Sequence, residues 1–341
     1  MTETYENVAK PDDIARQWPD GRNCPQLILD VATYLKDKPW RSLGTTRVVG
    51  DRMDDFWIEN GADLWRDFGC FMRLPDGSRV AQWFRDGERG EPPVVLIGSE
   101  GEQQILAPDL AAFLASWALA GYDDQGALAA RSSIGGVPVK LPSDLIRGDD
   151  EDEEGVPDGR PAFAAFLEKQ FGQPPAELLK PSPPDKPFEE FFTAWGEEAR
   201  AEMAANANLQ AIAKALDHHI PRGKKPWERV SFNVGAIDAR IKIAGKGDPR
   251  KPLDAAEADA IRPFIAAERE RRASGIHAPR GLWNVAHLML YPDGTCQIAA
   301  DWASAPKFWH GPAATAAELT SEHKRFPRSP RWREAWMDEL T

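Results

Sequence analysis

The sequence predicts an α+β protein of two domains, each a mainly antiparallel sheet packed with helices, joined by an acidic, proline-rich linker. Three observations lead there. The chain has 341 residues, 42% of them hydrophobic, which is more than one core usually serves. Strand-like runs meet at two turn signals, Pro75-Asp76-Gly77 and Pro292-Asp293-Gly294, so the strands on either side should pair as hairpins. Between them stand six consecutive acids, Asp149 to Glu154, and then eight prolines from Pro157 to Pro187, a composition typical of a boundary. The expected division is a polar arm over 1–22, a first domain over 23–125, a linker over 126–187 and a second domain over 188–341.

The arm is polar, carries Pro11, Pro19 and an Asp20-Gly21 turn signal, and reads as lying outside the core. Leu27, Ile28, Val31 and Leu35 fall at helical spacing. "FGCFMRLPDGSRVAQWF" is the first hairpin; Val94 to Ile97 reads as a buried strand, "GSEGE" as a tight connection, and Gln103 to Ala107 as the returning strand. A helix follows in which Leu110, Phe113, Leu114 and Trp117 form one apolar stripe, with Pro108 suited to its first position and Asp109 placed against the positive end of its dipole. Within the linker a short helix is expected at Ala162 to Phe171, able to dock on either domain.

The second domain opens with amphipathic helices carrying Phe188, Phe191, Phe192 and Trp195, then Leu209, Ile212 and Leu216. Alternation puts Val230, Phe232 and Val234 on one side of a strand. Asp254 and Glu257 have capping-box spacing ahead of a charged helix that Pro263 should kink or restart. After the second hairpin the tail reads as helix from Ala316, interrupted at "FPRSPRW". The residues around the two Pro-Asp-Gly turns do not match, so they are not a repeat.

A formal net charge of -12 disfavours unaided nucleic-acid binding and suits a basic partner. Cys24, Cys70 and Cys296 are too few and too scattered for a disulfide framework or a zinc knuckle, which fits a reducing cytoplasm. No secretion signal and no apolar run of membrane-spanning length is evident, so neither export nor membrane insertion is expected.

The residues also argue against the commoner site chemistries. "GSEGE" offers Glu100 and Glu102 where a phosphate loop offers lysine and helix N–H groups, and two carboxylates make a poor calcium cage. His218 and His219 are adjacent on an expected helix, pointing about 100° apart, so they are not expected to face one ion. His277, His287, His310 and His323 lack zinc-motif spacing, and there is no Gly-x-Ser-x-Gly elbow. Distant combinations such as Cys296, His287 and Asp301 stay compatible with a nucleophile, since the sequence does not give spatial adjacency. No catalytic, cofactor or metal residue is therefore expected. Thirteen tryptophans suit cores or interfaces, and the tail "RFPRSPRWREAW" mixes arginine and tryptophan as protein-binding surfaces do.

In the first domain, "FGCFMRLPDGSRVAQWF" and "PPVVLIGSEGEQQILAPDLAAFLASWA" follow the order strand, hairpin, strand, acidic-glycine turn, strand, helix. Over about residues 25–122 the chain resembles the SUKH superfamily of immunity proteins, with a shorter or altered helical entry. "NLQAIAKALDHHIPRGKKPWERVSFNV" and "GLWNVAHLMLYPDGTCQIAADW" are more faintly similar to YezG-like immunity proteins, from which the inserted "RGKK" departs. The resemblance implies a bacterial, cytoplasmic, non-catalytic antitoxin that neutralises a polymorphic toxin by stoichiometric binding. Many such toxins are basic nucleases, so the acidic groups Glu100, Glu102, Asp149, Asp150, Glu151, Asp152, Glu153 and Glu154 are the expected toxin-binding residues. The alternatives are a regulatory or scaffold adaptor binding a host protein and, further off, a hydrolase built on the second domain.

Overall fold

A computed structural model describes residues 9–19, 21–39, 41–44, 46–51, 67–85, 90–99, 101–120, 133–145, 156–220, 229–245, 253–274, 280–306, 308 and 311–340. Among these residues the chain divides into two units, the first ending at Thr193 and the second beginning at Ala194.

The first unit is built on an antiparallel meander of β1 (Arg47–Asp51), β2 (Phe68–Arg73), β3 (Arg79–Trp83), β4 (Val94–Ile97) and β5 (Gln103–Ala107), each strand paired with the next. The expected hairpins are present. At the β2–β3 turn the Asp76 carboxylate accepts the Ser78 N–H at 2.8 Å and its hydroxyl at 2.7 Å, fixing the register through side chain as well as backbone. At the β4–β5 turn the Gly98 N–H donates to the Glu102 carbonyl at 2.7 Å.

Every residue of β3 and β4 is buried, because both faces of the sheet are covered. Val80, Leu96 and Leu106 join the core formed with α2 (Gln26–Leu35) and α3 (Leu110–Leu119). On the opposite face Phe68 and Trp83 meet Phe188, Phe191 and Phe192 from the start of α6 (Lys186–Ala205), with ring centroids 4.8–6.0 Å apart. These three phenylalanines, expected in the second domain, thus belong to the first unit. The start of α3 lies slightly later than expected: Asp109 is its N-cap, accepting the Ala112 N–H at 2.8 Å, and Pro108 precedes the helix.

The arm and the linker also turn out differently. Residues Pro11–Gln17 form α1, whose Ile14 is fully buried and which leads into a buried Trp18. That indole lies against Gly69 so closely that any Cβ at 69 would collide with its ring. In the described part of the expected linker, α4 (Arg160–Phe171) inserts Phe163 and Leu167 into the first core, where Phe163 lies 5.0 Å from Trp117 and Phe166 stacks on Tyr34 at 4.5 Å. Beyond the short α5 (Pro175–Leu178), the prolines run along the edge strand β5. There Asp185 accepts the Ile105 N–H at 2.7 Å, the Ser182 hydroxyl caps the Leu106 carbonyl, and Lys140 holds Asp185 at 2.6 Å. The segment is proline-rich because it covers a sheet edge without itself becoming a strand.

In the second unit the sheet order is β7-β6-β8-β9, from β6 (Val230–Ile237), β7 (Arg240–Ile243), β8 (Val285–Leu290) and β9 (Cys296–Asp301), all antiparallel. Val230, Phe232 and Val234 are buried as the alternation predicts. Two helices, α7 (Ala207–Ala215) and α8 (Ala255–Ser274), pack against each other and against the sheet, burying Leu209, Ile212, Ile261 and Ile265. Pro263 neither ends nor restarts α8, which is assigned as one helix with the proline on its exposed side. The tail is helical at α9 (Ala316–Arg325) and α10 (Ala335–Leu340), with "FPRSPRW" between them, and a complete capping box at Thr315 and Glu318 opens α9.

Buried charge ties these helices down. Glu268 of α8 is fully buried and bonded to Arg271 at 2.8 Å, Arg272 at 2.8 Å and Asn206 at 2.9 Å. Burial alone would raise its pKa, but the Arg271 bonds, the Arg272 charge and the Asn206 bond together outweigh it and hold the carboxyl at about 2. A depressed carboxyl contributes stability above its unfolded pKa, near 4.3, and loses it as pH falls towards 2. Acid titration of the second unit should therefore remove on the order of 3 kcal/mol across that window. Glu268→Gln should flatten the dependence, as read by urea midpoints at pH 6 and pH 3; an unchanged slope would contradict the assignment.

Candidate functional site

Of the expected toxin-binding residues, Glu102 is described and is exposed at the β4–β5 turn. Its carboxylate folds back over Gly98, where any Cβ would strike it, and Gly101 beside it has φ +98°, so both glycines serve the turn's tightness. Glu100 and the run Asp149 to Glu154 lie outside the described residues. No described helix is long and apolar enough to cross a membrane.

The combination Cys296, His287 and Asp301 does not converge. Cys296 pairs with Leu290 and Asp301 with Val285, at opposite ends of the β8–β9 ladder, about 17 Å apart along the strand. Cys296 is buried and His287 exposed. Burial, reinforced by the nearby Glu268 charge, raises the Cys296 pKa, and burial pushes Cys24 up to about 12, so both thiols stay protonated at neutral pH. Cys70 is buried in β2.

The arginine-tryptophan tail turns inward. Arg328 and Trp332 are buried, with Arg328 donating to the carbonyls of Trp302 and Leu282, and Trp336 donates to the Ala303 carbonyl at 2.6 Å. The buried Arg280 lies 4.7 Å from the Trp302 ring and 4.4 Å from that of Trp332. These residues build the second core rather than a protein-binding face. Among the other tryptophans, Trp83 and Trp283 are buried, Trp195 is half-buried, and Trp57, Trp65, Trp227 and Trp309 lie outside the described residues.

His218 and His219 overturn the expectation that neighbouring imidazoles cannot face one point. They end a 3-10 turn, Asp217–His219, that follows α7, and their ring centroids are 4.2 Å apart. Both Nε2 atoms reach one oxygen, Glu257 Oε1, at 2.5 Å and 3.0 Å. The Cβ directions diverge as the helical turn requires, but Nε2 lies several bonds further out and side-chain rotation brings the two together. The partner is the glutamate of the expected capping box. Asp254 does cap α8, accepting the Ala256 N–H at 2.9 Å, while the Glu257 carboxylate meets the histidines. His287 is exposed on β8 and His323 half-buried on α9, whereas His277 and His310 are outside the described residues.

An open cleft of about 400 Å³ lies beside the second hairpin, lined by Leu209, Gln210, Asp293, Thr295, Cys296 and Gln297 among others. No protein-family model matches the chain, and neither a curated protein nor a solved structure matches it.

Proposed function

We propose that the protein is a bacterial cytoplasmic immunity protein, neutralising a cognate toxin domain by direct stoichiometric binding rather than by catalysis. The observation that carries this reading is the first unit's element order. The strands on which the SUKH resemblance rests pair as a continuous meander and lead directly into α3. The YezG-like stretches likewise supply α7, β6 and the β8–β9 hairpin of one sheet.

The partner is a basic toxin domain, a nuclease being one such chemistry. A net charge of -12 supports this, because complementary charge speeds encounter. Glu100, Glu102 and the Asp149 to Glu154 run are, by their charge, the proposed contacts. Co-expression with the toxin domain encoded beside its gene should restore growth, and Glu102→Lys combined with neutralisation of the acidic run should weaken rescue. Association of the purified pair should slow as salt rises from 50 to 500 mM; an on-rate indifferent to ionic strength would remove the electrostatic part of the reading. Rescue failing altogether would favour the adaptor reading, in which the same surfaces bind a host protein.

A further inference from the structure

The geometry points to a divalent transition-metal site at His218, His219 and Glu257, at the junction of α7's end and α8's first turn. Their three donor atoms all lie within 4.8 Å of one another. An ion holding nitrogen and oxygen donors at about 2.0–2.1 Å in tetrahedral geometry sets those donors roughly 3.3 Å apart. The two observed Nε2 to Oε1 separations, 2.5 Å and 3.0 Å, need open by less than an ångström to admit it.

The support behind the donors is fixed. His219 packs edge-on to Phe232, centroids 5.3 Å apart, and Phe232 is a fully buried core residue. Glu257 sits on the first turn of α8, anchored by its Asp254 cap. The carboxylate is 23% exposed and His219 22%, whereas His218 is 59% exposed, so the open side of the triad faces solvent there.

Two imidazoles with one carboxylate are a borderline donor set. It suits zinc, cobalt or nickel, and it is too nitrogen-rich and too small for calcium or magnesium. Three protein donors leave a fourth tetrahedral position for water or an exogenous ligand. The pairing that makes the site is invisible to linear motifs, because its two histidines are adjacent and its carboxylate comes from another helix.

Zinc is the probe. Isothermal titration of the full-length, tag-free chain should show one saturable zinc per chain, and cobalt substituted there should give the visible absorption of a four-coordinate ion. His218→Ala, at a position 59% exposed, and Glu257→Gln, which keeps side-chain size, should each lose about 100-fold or more in affinity, since even outer-shell partners of metal ligands are worth 10–100-fold. His287→Ala, on an exposed strand position, should bind as the parent does. Each variant's metal-free melting temperature is compared with the parent's, so that a loss of binding is read only from folded protein. No zinc uptake by the parent, or an affinity in His218→Ala and Glu257→Gln unchanged from the parent's, would overturn the site and leave the three side chains as a hydrogen-bonded cluster.

Discussion

Replacing Glu322 by alanine is expected to destabilise the second unit by about 3–5 kcal/mol. Glu322, fully buried on α9, accepts from Arg269 at 2.9 Å and from the Asp238 N–H at 2.8 Å, and lies 4.0 Å from Arg328. Arg269 is itself buried on α8. Burial pushes its pKa down, and the Glu322 charge and hydrogen bond oppose that. Alanine would strand a guanidinium in the interior and leave the Asp238 N–H unsatisfied.

Replacing both partners with hydrocarbon often recovers the loss from a buried ion pair, but here it should not. Arg269 also donates to the carbonyls of Trp283 at 2.7 Å and Asp238 at 3.0 Å, and reaches that of Ala236. An Arg269→Met, Glu322→Leu protein would orphan those carbonyls and should remain at least as unstable as Glu322→Ala. Urea unfolding followed by tryptophan fluorescence measures this, fitted as two transitions because two units need not unfold together. A cost below about 1 kcal/mol for Glu322→Ala would show that the arginines find other compensation.

Phe113→Ala should cost the first unit about 3–5 kcal/mol. Phe113 is fully buried on α3, 5.8 Å from Phe71 of β2 in edge-to-face contact, and belongs to the core that also holds α2 and α4. Truncation leaves a cavity between sheet and helix that neighbours on rigid elements fill only in part. Phe264, 36% exposed on α8, is the control and should change stability by no more than about 0.5 kcal/mol when truncated. Equal effects at both positions would contradict the placement of the first core.

Local pattern carried much of the frame. Two Pro-Asp-Gly signals placed two hairpins, and apolar periodicity placed α2, α3 and α7, because turn chemistry and amphipathicity are properties of neighbouring residues. What escaped depends on contacts distant in sequence. Ile14 and Trp18 read as an arm because charged residues surround them, yet Trp18 fills the space over Gly69. The prolines after Pro157 read as a linker, yet Asp185 bonds to a strand residue 80 positions earlier. Arg269 stands in a helix that reads only as charged and Arg328 in a tail that reads as a protein-binding surface, whereas each donates to carbonyls at strand ends or loops. The site was still less legible: the distance from His218 to Glu257 is 39 residues along the chain and 2.5 Å across space.

The most direct test of the proposed immunity function is titration of the purified full-length protein with the purified toxin domain encoded beside its gene, inactivated at its own active site to permit expression. The account predicts a saturable complex of fixed stoichiometry that forms more slowly at high salt and blocks the active toxin in proportion to occupancy. No heat of binding and no inhibition at stoichiometric excess would contradict it.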